Sequence, residues 1–291
     1  MAGTRTMTAD ISSSVARADG RRLMIALDID GTVTAAGSMD VPAPVVAAVG
    51  EARRAGHHIV LASGRSLVGV LPIARRLGLT DGWAVASNGA VTARLTAQSP
   101  GHLIDFGTDV QTLDVHQVVT AALNMRLPGL QIAVEEVAVG HTVSEPFPDG
   151  LLRGEQTVLP VDDLVALASP RVILRDPGVH RLIDPLRRVG LTVIPGPEIH
   201  RLDVTPGGVS KATALETVRR RLDITPDSTV AVGDGTNDVE ALAWAARGVA
   251  MGHAAPAVRA AADEVTGTFE EHGAATILLE LTAIASARWP N

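Results

Sequence analysis

The chain has 291 residues, a formal net charge of −7 and a hydrophobic fraction of 46%. Because domains commonly hold ~100–200 residues, this length predicts two domains, and the hydrophobic fraction suffices to build cores. The acidic balance argues against nucleic acid or an anionic membrane as a partner, and no run approaches the ~20 apolar residues of a membrane span. The sequence has no cysteine, which excludes disulfides, thiolate metal sites and thiol nucleophiles.

The first 20 residues differ in composition from the chain that follows. They are polar and rich in small side chains, so residues 1–20 are predicted to form a flexible tail. The segment has no apolar signal-peptide core, and we therefore expect a cytoplasmic protein.

The first apolar run, Leu23–Leu27, predicts a buried strand of a parallel sheet. Asp28 and Asp30 follow it and, being two residues apart on an extended chain, can face one pocket. That pocket would lie at the carboxyl end of the strand, where open α/β sheets bind ligands. Two carboxylates this close repel each other unless a cation or a proton lies between them. The alternative interpretation is an Asp-Gly turn that only closes the strand.

Strands and helices alternate over the next residues, and each strand ends in a small polar cluster. The predicted elements are a helix at Pro42–Ala55, a strand at His58–Ala62 ending in Ser63-Gly64-Arg65, a helix at Ser66–Leu77 and a strand at Trp83–Ala86 ending in Ser87-Asn88-Gly89-Ala90. This alternation implies right-handed crossovers and a parallel sheet. Taken singly, a cluster such as Ser63-Gly64-Arg65 could equally be a helix cap.

From Thr92 the pattern changes. The predicted elements are helices at Leu113–Met125, Val161–Leu167 and Val179–Arg188, and strands at Leu130–Glu136, Ala138–Val143, Arg171–Leu174, Leu191–Ile194 and Glu198–Val204. The order helix–strand–strand occurs near both ends of this block, which indicates an antiparallel α+β domain with weak internal duplication. Its position inside the parallel sheet suggests a lid.

The alternating pattern returns at Pro206. The predicted elements are a helix from Lys211 to Leu222, a strand at Ser228–Val232 ending in Gly233-Asp234-Gly235-Thr236-Asn237-Asp238, a helix through Ala245, a strand at Arg247–Met251 and a closing helix at Glu270–Ala285. Lys211 is the only lysine of the chain. A solitary ammonium group indicates a position that needs a compact point charge rather than a planar guanidinium, unless the lysine is there by chance.

Four of these clusters resemble, in chain order, the motifs of the haloacid-dehalogenase-like (HAD) phosphatases. They are Asp28-x-Asp30-Gly31-Thr32, Ser63-Gly64-Arg65, Ser210-Lys211 and Gly233-Asp234-Gly235-x-Asn237-Asp238. The Ser87-Asn88-Gly89-Ala90 segment and the large insertion resemble the Cof-like subgroup with a type IIB cap. The resemblance implies a doubly wound (Rossmann-like) parallel α/β core at 21–91 and 206–291, with an inserted α+β cap domain at 92–205.

The resemblance also implies a function, which is the Mg²⁺-dependent hydrolysis of a small phosphorylated metabolite, foremost a sugar phosphate. Asp28 would be the nucleophile that forms an aspartyl-phosphate, and Asp30 would be the general acid and base. The other implied roles are Mg²⁺ binding by Asp28, Asp234, Asp238 and the backbone carbonyl of Asp30, phosphate binding by Ser63, Gly64, Lys211 and Asn237, and substrate contact by Asn88.

Elementary chemistry supports these roles and leaves alternatives open. Phosphoryl transfer demands positioning and neutralisation of phosphoryl oxygens, which a hard cation, an ammonium group and helix N-termini supply. Asp30 can donate a proton only if its pKa rises, which like-charge crowding and partial burial would promote. A phosphomutase would use the same aspartyl-phosphate but return the phosphoryl group to the sugar. A non-catalytic phosphate-binding module would keep the pocket without needing both carboxylates. Candidate specificity residues in the cap are Glu135, Glu136, Arg153 and Arg175.

Overall fold

The computed structural model describes residues 22–96, 108–196 and 200–286, so the predicted tail at 1–20 lies outside the described residues. The strands are β1 (Met24–Leu27), β2 (His58–Ala62), β3 (Gly82–Ala86), β4 (Val91–Leu95), β5 (Asp109–Val110), β6 (Leu113–Asp114), β7 (Gln131–Glu136), β8 (Gly140–Val143), β9 (Glu155–Val158), β10 (Ala168–Ser169), β11 (Val172–Arg175), β12 (Thr192–Pro195), β13 (Arg201–Thr205), β14 (Thr229–Gly233), β15 (Arg247–Ala250) and β16 (Glu264–Val265). The α-helices are α1 (Ala43–Arg54), α2 (Leu67–Arg76), α3 (Val115–Asn124), α4 (Val161–Leu164), α5 (Ile183–Arg188), α6 (Lys211–Arg221), α7 (Val239–Trp244), α8 (Pro256–Arg259) and α9 (Gly273–Ser286).

Eight strands form the central sheet, in the order β16-β15-β14-β1-β2-β3-β4-β5. The six strands from β16 to β3 run parallel, and β4 and β5 continue the sheet as antiparallel strands. The chain builds outward from β1 in one direction with β2 and β3, and in the other with β14, β15 and β16. The order therefore reverses between β1 and β14, which is the place where open α/β sheets bind ligands.

Both faces of the central sheet are covered by helices, and β1 shows why its sequence is continuously apolar. Ile25 and Leu27 pack into the core under α1, α2 and α9, whereas Met24 and Ala26 pack into the core under α6, α7 and α8. Alternate side chains of a strand point to opposite faces, so a strand covered on both sides must be apolar throughout. The predicted doubly wound α/β core is confirmed.

The segment between β5 and α6 forms a second sheet of six strands, in the order β12-β13-β11-β7-β8-β9. Neighbouring strands are antiparallel except for β8 and β9. Helices α3, α4 and α5 pack on one face of this sheet around a separate apolar core. The predicted pair of strands at Leu130–Glu136 and Ala138–Val143 is confirmed as β7 and β8.

The structure differs from the prediction at the start of the insertion. The predicted cap at 92–205 includes most of β4 and all of β5, but both strands belong to the central sheet. The reason lies in the turn Ser87–Gly89, where three successive residues have positive φ and reverse the chain so that β4 pairs antiparallel with β3. The cap boundaries at 92 and 205 stay a prediction. Residues 91–95 and 109–110 lie in the central sheet and not in the second sheet.

Among the helices of the described ranges, none is both long enough and apolar enough to cross a bilayer. The longest of these helices, α9, has 14 residues, whereas a span needs about 20.

His141 on β8 is a buried histidine whose environment opposes protonation. Burial lowers the pKa of His141 to about 3, and the guanidinium groups of Arg171 and Arg201 act in the same direction, against the carboxylate of Asp203. The imidazole is therefore neutral in the folded chain at pH 7.

Acid is expected to destabilise the fold through His141, and His141→Gln should remove that contribution. The unfolded chain protonates this residue near its ordinary pKa of 6.5, whereas the folded chain does so only near 3. Lowering the pH from 7 to 5 therefore favours the unfolded state by about 2 kcal/mol through this group. Urea unfolding of both proteins at both pH values measures the difference. Equal losses of unfolding free energy in wild type and variant would contradict this prediction.

Candidate active site

Three carboxylates meet at the carboxyl ends of β1 and β14. Asp28 follows β1, Asp234 follows β14, and Asp238 ends the short 3₁₀ turn Thr236–Asp238. Each offers an oxygen, and these oxygens all lie within 4.8 Å of one another. The backbone N–H of Asp28 donates to the carbonyl of Val232 at 3.0 Å, so the sheet ladder itself holds Asp28 beside β14. We call these three residues the carboxylate cluster.

Lys211 reaches the carboxylate cluster from the first residue of α6. Its Nζ donates to Asp28 Oδ1 at 2.5 Å and to Asp238 Oδ1 at 2.6 Å, and the side chain is 1% exposed. Burial lowers the pKa of Lys211, but the carboxylates of Asp238 and Asp28 outweigh burial and leave the pKa above its ordinary value. The helix start is fixed by a capping box between Ser210 and Thr213.

The carboxylate cluster carries more negative charge than Lys211 balances. Burial raises the pKa of Asp28 well above its ordinary value, and the charge of Asp238 raises it further against the effect of Lys211. Burial and Asp238 likewise raise the pKa of Asp234. A set of oxygen donors with excess negative charge fits a hard divalent cation such as Mg²⁺. Asp28, Asp234 and Asp238 are therefore the residues that could hold the ion.

Asp30 is not part of this cluster. Its carboxylate is held by Arg65, whose Nε donates to Oδ2 at 2.8 Å and whose Nη2 donates to Oδ1 at 2.6 Å, and it also accepts from the Gly37 N–H at 2.7 Å. Burial raises the pKa of Asp30, but the hydrogen bonds and the charge of Arg65 outweigh it, so the pKa is lowered. The expected rise in the pKa of Asp30 is wrong. The reason is that Arg65 of the Ser63-Gly64-Arg65 segment pairs with this aspartate, a contact that the sequence does not reveal.

A polar group beside the carboxylate cluster brings together residues from three loops. Asn237 Nδ2 donates to Asn88 Oδ1 at 2.9 Å. A Cβ added to Gly64 would come within 3.0 Å of Asn88 Oδ1 and 3.3 Å of Asn237 Nδ2, so the position has little room for a side chain. Asn88 has a φ of 56°, a left-handed conformation that asparagine adopts more readily than most residues. The buried Ser63 hydroxyl accepts from the Arg65 N–H at 3.1 Å.

Two further contacts hold Asp234 in place. Thr32 Oγ1 donates to Asp234 Oδ1 at 3.1 Å, and His253 Nε2 lies 3.4 Å from Asp234 Oδ2. Gly31 has a φ of 80°, and a Cβ there would lie 2.3 Å from Asp234 Oδ2. The glycine therefore lets the backbone after β1 approach the carboxylate.

The four candidate specificity residues all contact other protein groups. Glu135 pairs with Arg171, Glu136 accepts from Thr142, Arg153 donates to the Gly37 carbonyl, and Arg175 donates to Gln131. A cavity of about 420 Å³ instead lies between the central sheet and the second sheet. Its central-sheet wall includes Asn88, Lys211 and Asn237, and its second-sheet wall is formed by Arg187 of α5 and by β12. The strand and the helix were predicted from the sequence, but nothing in it indicated that Arg187 or β12 would line a cavity.

Similar proteins were found by sequence and by structure. The pattern of the haloacid dehalogenase-like hydrolases matches residues 25–141 and 195–278. A phosphoglycolate phosphatase of Natronomonas pharaonis is 30% identical over 244 residues, which are 83% of this chain and 90% of that protein. The solved structure of the HAD phosphatase BT1666 from Bacteroides thetaiotaomicron has a TM-score of 0.75 at 24% identity, over 94% of this chain and 99% of that one. The HAD subclass IIB sugar phosphatase BT4131 has a TM-score of 0.73 at 21% identity, over 90% and 99%.

The fold and the carboxylate cluster define an α/β protein of the HAD type, with its site at the point where the strand order reverses. The chain belongs to the haloacid dehalogenase-like hydrolase family, whose pattern covers more than half of it. The resemblance inferred from the four motifs is thereby confirmed, as is the prediction of a HAD-like phosphatase.

Proposed function

We propose that this chain is a Mg²⁺-dependent phosphomonoesterase that hydrolyses a small phosphorylated metabolite, such as a sugar phosphate, through an aspartyl-phosphate at Asp28. The observation that carries the proposal is the shared contact of the Lys211 ammonium group with Asp28 and Asp238, with Asp234 beside them. A phosphate that approaches Asp28 would meet the ammonium group of Lys211, which contacts Asp28 Oδ1. The sole lysine of the chain therefore has an electrostatic role in the proposed reaction.

In the first step, an Asp28 oxygen forms a bond to phosphorus while the bond from phosphorus to the substrate oxygen breaks. Asp30 supplies the proton to the departing alkoxide. In the second step, water attacks the phosphorus of the aspartyl-phosphate, Asp30 accepts its proton, and inorganic phosphate leaves with Asp28 restored. Lys211, Asn237 and the Gly64 N–H would hold the phosphoryl oxygens during both steps.

The lowered pKa of Asp30 bears on the two steps differently. An Asp30 that is ionised at neutral pH suits the second step, in which it accepts a proton from water. Proton donation in the first step requires a higher pKa, and the negative charge of a bound phosphate acts in that direction. When bound at Asp28, Asp234 and Asp238, Mg²⁺ would supply positive charge that offsets the negative charge of the phosphate and of the nucleophile.

The cavity is consistent with a small substrate. Its volume of about 420 Å³ falls within the usual ~300–1,000 Å³ of small-molecule sites. Lys211 and Asn237 line the central-sheet wall, where the phosphate would lie, and β12 and Arg187 line the opposite wall, where they would face the leaving group. Substrate choice would therefore depend on the second sheet, in which the α5–β12 segment forms the wall.

The proposal is tested by phosphate release from a panel of sugar, glycerol, glycolate and nucleotide monophosphates, with Mg²⁺ and with EDTA. We expect release from at least one small phosphate in Mg²⁺ and a loss of at least about 100-fold in EDTA. Transfer of the phosphoryl group between positions of a sugar, dependent on a bisphosphate activator, would instead identify a mutase. Phosphate binding without turnover of any panel member would identify a binding module.

A further inference from the structure

A group of four charged side chains, three of them buried, lies in the second sheet and contacts the central sheet. It consists of Glu135 on β7, Arg171 just before β11, and Arg201 and Asp203 on β13. Arg171 donates from Nε to Glu135 Oε2 at 2.8 Å and from Nη1 to Asp203 Oδ2 at 2.9 Å. Arg201 donates from Nε to Asp203 Oδ1 at 2.9 Å. We call these four residues the charge cluster.

The charge cluster is balanced, since two guanidinium groups face two carboxylates. The Arg171 side chain is 2% exposed, and the Glu135 side chain is fully buried. Burial raises the pKa of Asp203, but Arg201 and Arg171 outweigh it and lower the pKa, so this carboxylate is ionised. The charges fix Glu135 and Arg171 in one geometry, because separating this pair leaves the buried carboxylate of Glu135 without its cationic partner.

Two members of the charge cluster bind loops of the central sheet. Arg171 Nη1 donates to the backbone carbonyl of Gly64, in the loop that follows β2. The hydroxyl of Ser87, in the loop that follows β3, donates to Glu135 at 2.7 Å from Oε1 and 2.8 Å from Oε2. These are the loops that carry Gly64 and Asn88, next to Asn237. The contacts therefore run from the second sheet to the polar group beside the carboxylate cluster.

The Ser87 contact holds an unfavourable backbone conformation. Ser87 and Asn88 both have positive φ, at 52° and 56°, and serine adopts this region rarely. The two loops are also bonded to each other, since the Ser87 N–H donates to the Arg65 carbonyl at 2.7 Å and the Asn88 N–H donates to the Ser63 carbonyl at 3.1 Å. A shift of either loop would thus move the other.

From these contacts we infer that Arg171 and Glu135 are positioning residues of the phosphoryl site, which hold Gly64 and the Ser87–Asn88 turn in the arrangement that receives phosphate. The inference rests on the proposed function, because it assigns these loops to phosphate binding. Neither residue touches the substrate. The second sheet thereby contributes to the phosphate end of the site as well as to the wall that faces the leaving group.

The test compares Arg171→Met with Arg175→Met. Arg175 is the last residue of β11, and Arg171 immediately precedes that strand. Arg175 Nη1 donates at 2.6 Å to Gln131, the first residue of β7, whereas Glu135 lies near the other end of β7. Affinity for inorganic phosphate is measured by calorimetry in Mg²⁺, which requires no knowledge of the substrate. We expect Arg171→Met to weaken phosphate binding about tenfold or more and Arg175→Met to change it less than about twofold.

Phosphate affinity separates a positioning role from a merely structural one. If Arg171 only stabilised the fold, the folded fraction of the variant would bind phosphate with wild-type affinity, and the number of binding sites per chain would fall instead. That result would overturn the inference. Where a substrate is known, the Michaelis constant and the inhibition constant of phosphate for Arg171→Met should rise with the calorimetric value.

A second variant covers the case in which Arg171→Met does not fold. Ser87→Ala removes one neutral hydroxyl and leaves the Glu135–Arg171 pair intact, and we expect it to weaken phosphate binding about threefold to tenfold. Unchanged affinity in Ser87→Ala would overturn the inference. The failure of this inference is distinct from the failure of the proposed function. If the wild type turns over a substrate and Ser87→Ala binds phosphate with wild-type affinity, only the positioning role is contradicted. If the wild type turns over no substrate, only the phosphatase activity is contradicted.

Discussion

Asp28→Asn is expected to lower phosphate release by at least about 10⁴-fold while the chain stays folded. The amide cannot form the proposed aspartyl-phosphate, and removal of a nucleophile leaves only the contribution of the surrounding site. Rates of purified variant and wild type on the best panel substrate measure the effect. A variant that retains more than about one hundredth of wild-type activity would contradict the nucleophilic role of Asp28.

The stability of Asp28→Asn provides an independent readout. Because burial and Asp238 raise the pKa of Asp28, ionising this group favours the unfolded state once the pH exceeds its ordinary pKa. Asparagine has no such charge, so the free energy of unfolding in EDTA at pH 7 should not fall. Asp81→Asn is the matched control, since Asp81 precedes β3 at the opposite edge of the sheet and its side chain is 79% exposed. This control should keep wild-type activity.

Lys211→Met is expected to have the largest effect on the metal-free fold. Asp28 and Asp238 share the Lys211 ammonium group, so its loss leaves two buried carboxylates without their common cation. We expect the free energy of unfolding in EDTA to fall by about 3 kcal/mol and phosphate release to fall by at least about 10³-fold. Urea unfolding in EDTA and in Mg²⁺ measures the first effect, and Mg²⁺ should restore part of the loss.

Lys211→Arg separates charge from shape. Arginine keeps a positive charge but replaces a compact ammonium group by a planar fork at a side chain that is only 1% exposed. We therefore expect a smaller loss of unfolding free energy than in Lys211→Met, with phosphate release still strongly reduced. Equal stability of wild type and Lys211→Met in EDTA would show that the ammonium group does not offset the repulsion among the carboxylates.

The arrangement of Asp30 and Arg65 changes how the proposed cycle is understood. The sequence suggested two like carboxylates competing within one pocket, but Arg65 binds Asp30 with both arms of its guanidinium group. Of the two aspartates after β1, Asp28 has the raised pKa and Asp30 the lowered one. In the proposed cycle, the residue that would carry a proton is therefore the more acidic of the two before phosphate binds.

Much of the fold could be predicted because local patterns reflect burial directly. Strands β1, β2, β3 and β14 are short and mostly apolar runs, and each is followed by polar residues that lie at the same edge of the sheet. The strand β4 was missed as part of this sheet, because its pairing depends on the reversal at Ser87–Gly89 rather than on its own composition. Short elements such as β9, β16 and α8 carry too few residues for a periodic signal.

The sequence by itself determined the class of fold and the order of the motifs. It also determined that Asp28, Lys211 and Asp234 would be neighbours, because apolar runs form the buried strands and the carboxyl ends of parallel strands lie at one edge of the sheet. Only the tertiary structure decided which cation each carboxylate meets. Asp30 pairs with Arg65 over 35 residues, and Glu135 pairs with Arg171 over 36. Such pairs depend on how separate elements pack, and a charged side chain has no periodic pattern that reveals its partner across the chain.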